Sequence, residues 1–302
     1  MSMPGSEPDA PHPAQLAVGL VGAGRAGTAM AAALAGAGHR VVAASAVSQA
    51  SLGRLASVLP DVPVRGPEQV IEQANLVLLT VPDDTLPGLA AGLASTGVKM
   101  EGRLVAHASG RHGLGVLDPL AERGALPLAL HPVMTFTGRR EDVAKMAGIS
   151  WGVTAPLPLR PVAEVLVLEM GGEPVFIDED KRDLYHAALA NAANYLVTLV
   201  LESQDMLRAS GVADPAKMLG PLLWAALENA LSLGPAALTG PVARGDADTI
   251  AAHIAAIKAA TPEALGAYLA MARLTAEQAL AARALSPDDA ERLLGVLHGP
   301  IP

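Results

Sequence analysis

The chain has 302 residues, 51% apolar and only 2% aromatic, with 30 acidic against 21 basic residues and a net charge of −9. That length and apolar content suffice for two domains or one large one, while the acidic balance argues against nucleic acid, whose binding needs a basic footprint. The absence of cysteine removes disulfides, thiol catalysis and thiolate metal ligands, so no metal site is expected and a reducing cytoplasm fits.

Residues 1–14, MSMPGSEPDAPHPA, lack a basic region followed by an apolar one, and read as a disordered tail rather than a secretory signal. LAVGLVG (16–22) then reads as a strand and RAGTAMAAALAGAG (25–38) as an alanine-rich helix. HRVVAAS (39–45) gives a second strand and SLGRLASVL (51–59) a second helix. ANLVLLTVP (74–82), GRLVAHASG (102–110) and LPLALHPV (126–133) are further strands; SWGVTAP (150–156) and EPVFID (173–178) flank a helix near 158–170. Strands this uniformly apolar, alternating with helices, predict a Rossmann-type doubly wound parallel sheet covered on both faces. After Asp178 the strand signals stop, and helices are predicted near 179–210, 214–233, 246–260, 262–283 and 286–297. Asp214-Pro215, Thr261-Pro262 and Ser286-Pro287 each pair a capping residue with a first-turn proline. The expected division is a dinucleotide-binding domain over 15–178 and an all-helical domain over 179–302. The most apolar helix is interrupted by His186, Asn191, Asn194 and Glu202, so no membrane span is expected and the chain is read as soluble and cytoplasmic.

Gly22, Gly24 and Gly27 stand in G-x-G-x-x-G spacing, after an apolar strand and at the start of a helix. The first glycine permits a tight turn, the second a close approach of backbone to a pyrophosphate, the third close helix–sheet packing. With Arg25 and Ala26 the loop offers free N–H groups at the positive end of a helix. The second strand ends Ala43-Ala44-Ser45-Ala46-Val47-Ser48 without the carboxylate that usually holds the ribose hydroxyls of NAD. A ribose phosphate meets no repulsion there, and Ser45, Ser48, Arg25 or Arg54 could contact it. This favours NADP, with NAD still open.

In such a sheet, ligands sit beyond the carboxyl ends of the strands. Those ends read Val81-Pro82-Asp83-Asp84, His107-Ala108-Ser109-Gly110 and His131-Pro132. Val81 and Pro82 would border the cofactor, while His107, Ser109 and His131 face a substrate; each histidine could instead be a satisfied strand-end residue. Asp83 or Asp84 reads as the N-cap of the next helix.

Three separated strings, HASGRHGLGVLDPLAERGALPLALHPVMTFTG (107–138), KRDLYHAALANAANYLVTL (181–199) and LTGPVARGDADTI (238–250), resemble a bacterial family that joins a Rossmann-like domain to a helical C-terminal domain of unknown function. The resemblance runs from about Leu16 to Leu297. The family is similar in layout to pyrroline-carboxylate reductases, β-hydroxyacid dehydrogenases and ketopantoate reductases. What it implies is a helical domain that covers the nicotinamide, closes the substrate site and builds a homodimer, and for some members ketopantoate reduction in pantothenate synthesis. On a helical wheel Asn191, Asn194, Thr198, Glu202 and Asp205 share one stripe, with His186 about a quarter turn away. Such a stripe is either a solvent face or the polar wall of a cleft. The dehydrogenase relatives use a lysine four residues before a helix asparagine as proton donor; here those positions are Ala187 and Ala190. Histidine, whose ordinary pKa lies near neutrality, then becomes the candidate acid, as His131 or His186. Arg244 could clamp a substrate carboxylate, and Asp246 is expected to cap the helix after it.

These residues together predict an NADP-dependent reductase of a small carbonyl or cyclic imine. His131 or His186 would donate the proton, Asn191 and Asn194 orient the substrate, and Ser109, His107 and Arg244 bind its polar groups. The competing expectation, supported by the missing lysine, is a dinucleotide-binding sensor or scaffold without turnover.

Overall fold

The computed structural model describes residues 15–297, so the tail expected over 1–14 lies outside them. The chain divides into two compact units, 1–190 and 191–302.

The first unit contains β1 (Ala17–Val21), α1 (Arg25–Gly36), β2 (Arg40–Ser45), α2 (Gln49–Val58), α3 (Pro67–Gln73), β3 (Leu76–Leu79), α4 (Leu86–Ser95), β4 (Leu104–His107), α5 (Asp118–Ala121), β5 (Leu126–Pro132), α6 (Glu141–Lys145), β6 (Ser150–Thr154), α7 (Arg160–Glu169) and β7 (Glu173–Phe176). These strands form one seven-stranded sheet in the order β2-β1-β3-β4-β5-β6-β7. Side chains alternate between its faces, as a period of two requires. Val18 and Leu20 pack with Met30, Leu34 and Val167 on one face; Val21, Val77 and Leu79 pack with Val70, Ile71 and Leu86 on the other. Each such fully buried aliphatic side chain stabilises the sheet by about 1.5–3 kcal/mol.

One pairing departs from the expected all-parallel sheet: β6 runs antiparallel to β5, opposing His131 to Gly152. An antiparallel neighbour needs no crossover helix, and the segment between these strands holds only the five-residue α6. The direction of strand succession reverses between the neighbours β1 and β3, the switch point where ligands of such sheets bind. The register aligns Val21 with Leu79, Leu79 with His107, and His107 with Ala129. Four strand ends therefore form one edge, with His131 two residues farther along β5.

The long helix α8 (Arg182–Ala209) crosses the division between units. The second unit continues with α9 (Pro215–Leu233), α10 (Gly240–Ala243), α11 (Ala247–Ala260), α12 (Leu265–Ala281) and α13 (Pro287–Leu297). Ile250, Ile257, Leu265, Leu269 and Leu293 make its core. Asp214 caps α9 by accepting from Lys217 N–H, Asp246 caps α11 through Thr249, and the Ser286 hydroxyl accepts from Asp289 N–H. Thr261 makes no such side-chain cap. Pro215 is the sole buried residue of α9, and Arg182 that of α8. Segment Glu179–Ala209 is, contrary to expectation, long and apolar enough to cross a membrane by length and composition, and none of its most apolar 18-residue window is buried.

Candidate active site

The glycine loop between β1 and α1 is held from both sides. Ser45 O, at the end of β2, accepts from Gly22 N–H and Ala23 N–H at 3.1 Å each. Gly22 has φ +92°, a conformation other residues rarely adopt, and its carbonyl accepts from the Thr80 hydroxyl. A methyl at Gly27 would overlap the Thr80 side chain, so only glycine lets α1 approach β3 this closely. At the start of α1 no side chain caps the helix and no acid occupies the first turn. Its orphan N–H groups are open to an anion, which is what a nucleotide diphosphate needs. Of the two serines expected to border the ribose, Ser45 is buried at the strand end, and Ser48 caps α2 through Ser51. Val81 and Pro82 follow the Thr80 contact, with Val81 against Gly22. Neither Asp83 nor Asp84 caps α4, whose N-cap is Thr85; Asp83 instead lends its carbonyl to His112 at 2.9 Å.

The loop after β4 is closed by groups from afar. His107 is fully buried: Nδ1 accepts from Ser109 N–H and Nε2 donates to Gly113 O at 2.8 Å. Burial pushes its pKa down to about 4, against the opposing effect of the Gly113 hydrogen bond. Both ring nitrogens are engaged, so His107 latches the loop and presents none to a substrate, a correction to its expected role. The Ser109 hydroxyl accepts from His112 N–H at 3.0 Å, again inside the loop. Glu179 accepts from Leu114 N–H at 2.7 Å and Gly115 N–H at 3.1 Å. Arg182, only 1% exposed, donates to Ser109 O at 2.7 Å and to the Thr154 hydroxyl at 2.8 Å. No carboxylate pairs with it among the described residues, and its Nε is buried without a partner. Burial lowers the pKa of this guanidinium.

Beside this buried cation stand His131, Tyr185 and His186. His131 Nδ1 lies 2.8 Å from the Tyr185 hydroxyl, and the His131 ring meets those of Tyr185 and His186 edge-on at 5.7 and 6.3 Å. Burial, then the charges of Arg182 and His186, push the His131 pKa down to about 4, so the ring is neutral at neutral pH. Burial raises the Tyr185 pKa, while the charge of Arg182 opposes. Two glycines make room: a methyl at Gly152 would overlap the Tyr185 ring, and one at Gly110 would sit 2.7 Å from His186 and 2.9 Å from His131 Nε2. Arg182 and Tyr185 escaped the sequence reading, although Arg182, Tyr185 and His186 are spaced three and four along one helix face.

The first unit thus brings together the glycine loop, Ser109, His131 and His186. Asn191, Asn194 and Arg244 belong to the second unit, and all three are exposed there. A dinucleotide-type Rossmann sheet with a histidine–tyrosine pair at its ligand edge is the class these features define.

Residues 1–132 match the family described as Rossmann-like domain, and residues 149–275 match the domain of unknown function DUF2520. The second match begins at β6 and so takes in the last two strands as well as most of the helices that follow. No curated protein matches it. Among solved structures, a protein of Bacteroides fragilis provisionally described as an NADP oxidoreductase is 20% identical, with a TM-score of 0.73, covering 87% of this chain and 98% of its own. A Thermotoga maritima protein is 20% identical at a TM-score of 0.66, covering 88% and 99%. An imine reductase from a Pseudomonas species is 20% identical at a TM-score of 0.62, covering 94% and 100%. At such identities the likeness establishes the fold.

Proposed function

We propose that the chain is an NADP-dependent reductase of a small carbonyl or imine compound. The observation that carries this reading is the neutral His131–Tyr185 pair on the edge where the glycine loop opens. The uncapped first turn of α1 would hold the diphosphate of the cofactor, whose nicotinamide supplies hydride when bound. With the Tyr185 proton directed at His131 Nδ1, 2.8 Å away, the imidazole proton stays on Nε2. Nε2–H then donates to the substrate oxygen or nitrogen. As that atom gains negative charge it takes the Nε2 proton, while Nδ1 takes the tyrosine's; the tyrosinate lies near Arg182 and is reprotonated from water. This route needs neither the missing lysine nor a charged histidine.

The test is NADPH consumption across 2-keto acids, with ketopantoate first because of the sequence resemblance, and cyclic imines, which the imine reductase likeness supports. Steady absorbance loss with one of them is expected. No binding of NADPH or NADH would end the redox reading, and tight NADPH binding without turnover would make the chain a sensor.

A homodimer is part of the proposal. Eleven large apolar side chains on α8 and α9, among them Tyr195, Leu201, Leu222, Trp224 and Leu231, are exposed in the second unit. Together they present roughly 1,000 Å² per copy, the scale of a stable dimer interface. They adjoin a groove of about 820 Å³ whose wall includes six alanines, short enough in side chain to take a helix of a second copy. Light scattering should give twice the chain mass, and a W224E/L231E variant half of that. A monomeric wild type that floats with lipid vesicles would overturn the dimer in favour of a membrane.

A further inference from the structure

We propose that the segment Thr135–Arg140, between β5 and α6, is a strap over the nucleotide loop that makes the site prefer a dinucleotide carrying a ribose phosphate, with Asp142 as its positioning residue. This rests on the dinucleotide reading above and names what enforces the phosphate preference.

The strap reaches the glycine loop through Gly138. Its φ is +83°, and a methyl there would lie 2.7 Å from Arg54 Nε and 3.1 Å from Arg25 Cγ, so the backbone lies directly on both side chains. Arg54 in turn donates to Ala23 O, inside the glycine loop, at 2.8 Å. Arg139 and Arg140 follow at once and are exposed. Two arginines thus lie against Gly138 beside the glycine loop and two more follow it in the chain, and none of the four has a carboxylate within ion-pair distance among the described residues. In a chain with nine more acids than bases, that is a local reversal of charge. With no acid at the end of β2 either, the mouth is built for a multiply charged anion.

The strap is latched at both ends. Met134 and Phe136 pack on the sheet core. Asp142, 1% exposed, accepts from the Thr137 hydroxyl at 2.9 Å and from Gly138 N–H at 2.7 Å. Burial alone would raise its pKa, and the bonds from Thr137 and Gly138 outweigh it, so the carboxylate stays charged. A buried acid spent wholly on its own loop fixes where Gly138, and the arginines after it, can lie.

Calorimetry of NADP⁺, NAD⁺, 2′,5′-ADP and 5′-AMP on wild type, R139A/R140A and D142N tests the strap. Wild type should bind each 2′-phosphorylated ligand at least about tenfold more tightly than its counterpart, and both variants should lose most of that ratio while NAD⁺ affinity changes less than about threefold. The exposed double variant keeps the test valid should D142N fail to fold. Equal losses for both ligand types, or an unchanged ratio in R139A/R140A, would overturn the strap and leave the dinucleotide reading standing. Failure of the wild type to bind any dinucleotide would sink that reading itself.

Discussion

Acid should unfold the sheet domain in a window set by two imidazoles. His107 and His131 are each pushed down to about 4 from an ordinary 6.5. Between those values the unfolded chain binds a proton that the folded chain refuses, so stability is full above about pH 6.5 and falls as pH drops toward 4. Each pH unit is worth about 1.4 kcal/mol per group, hence about 2 kcal/mol for His107 by pH 5, and somewhat less for the partly exposed His131. For a domain of this size that lowers Tm by roughly 4–8 °C per histidine. Asp142, Asp246 and Asp289 are held below 3.8, so their losses begin only under that pH and do not overlap. Trp151 is buried in the sheet, whereas Trp224 is exposed in the second unit, so W224F leaves one fluorescent reporter of the relevant domain. Melting that variant from pH 7.5 to 4.5, alone and with H107Q or H131Q added, gives the slope and each histidine's share. A flat profile between pH 7 and 5, or identical slopes in all three proteins, would refute the burial argument.

His131→Ala should lower kcat at least about 100-fold, and Tyr185→Phe about tenfold with NADPH affinity unchanged; full activity in both would remove the proton relay. Gly27→Val, which drives a side chain into Thr80, should cost about 1–3 kcal/mol in urea melts and abolish NADPH binding by calorimetry. Arg182→Met strips donors from Ser109 O and Thr154 at about 1–3 kcal/mol each. Because the guanidinium helps hold the His131 pKa down, the same variant should raise it, which NMR titration would register.

Most of the architecture was legible because its signals are local. Apolar runs marked the first five strands and the mixed segments SWGVTAP and EPVFID the last two, and Asp214, Asp246 and Ser286 announced their helices. The direction of β6 was not, since a strand buried on both faces reads alike whichever way it runs. The short helices α3 and α6 fall below the length at which periodicity speaks. At the site, the glycine loop and the strand-end histidines were readable, but the division of labour between them was not. His107 and His131 occupy equivalent places in the sequence; only the hydrogen bonds from Ser109 and to Gly113 separate a latch from an open ring. Arg182 hid beside Lys181, where a basic pair at a helix start looks like surface charge.

Ser109 and its neighbours take their shape from residues some seventy positions downstream. A fragment stopping at Asp178 would keep every strand and the whole nucleotide cradle, yet forfeit Glu179, Arg182 and Tyr185 at a stroke. Such a half-molecule is expected to grip dinucleotide and have no proton to give, so nucleotide capture and chemistry would come apart at a single peptide bond. Affinity retained by that fragment, with exchange-labile amides over 109–115, would display the separation directly.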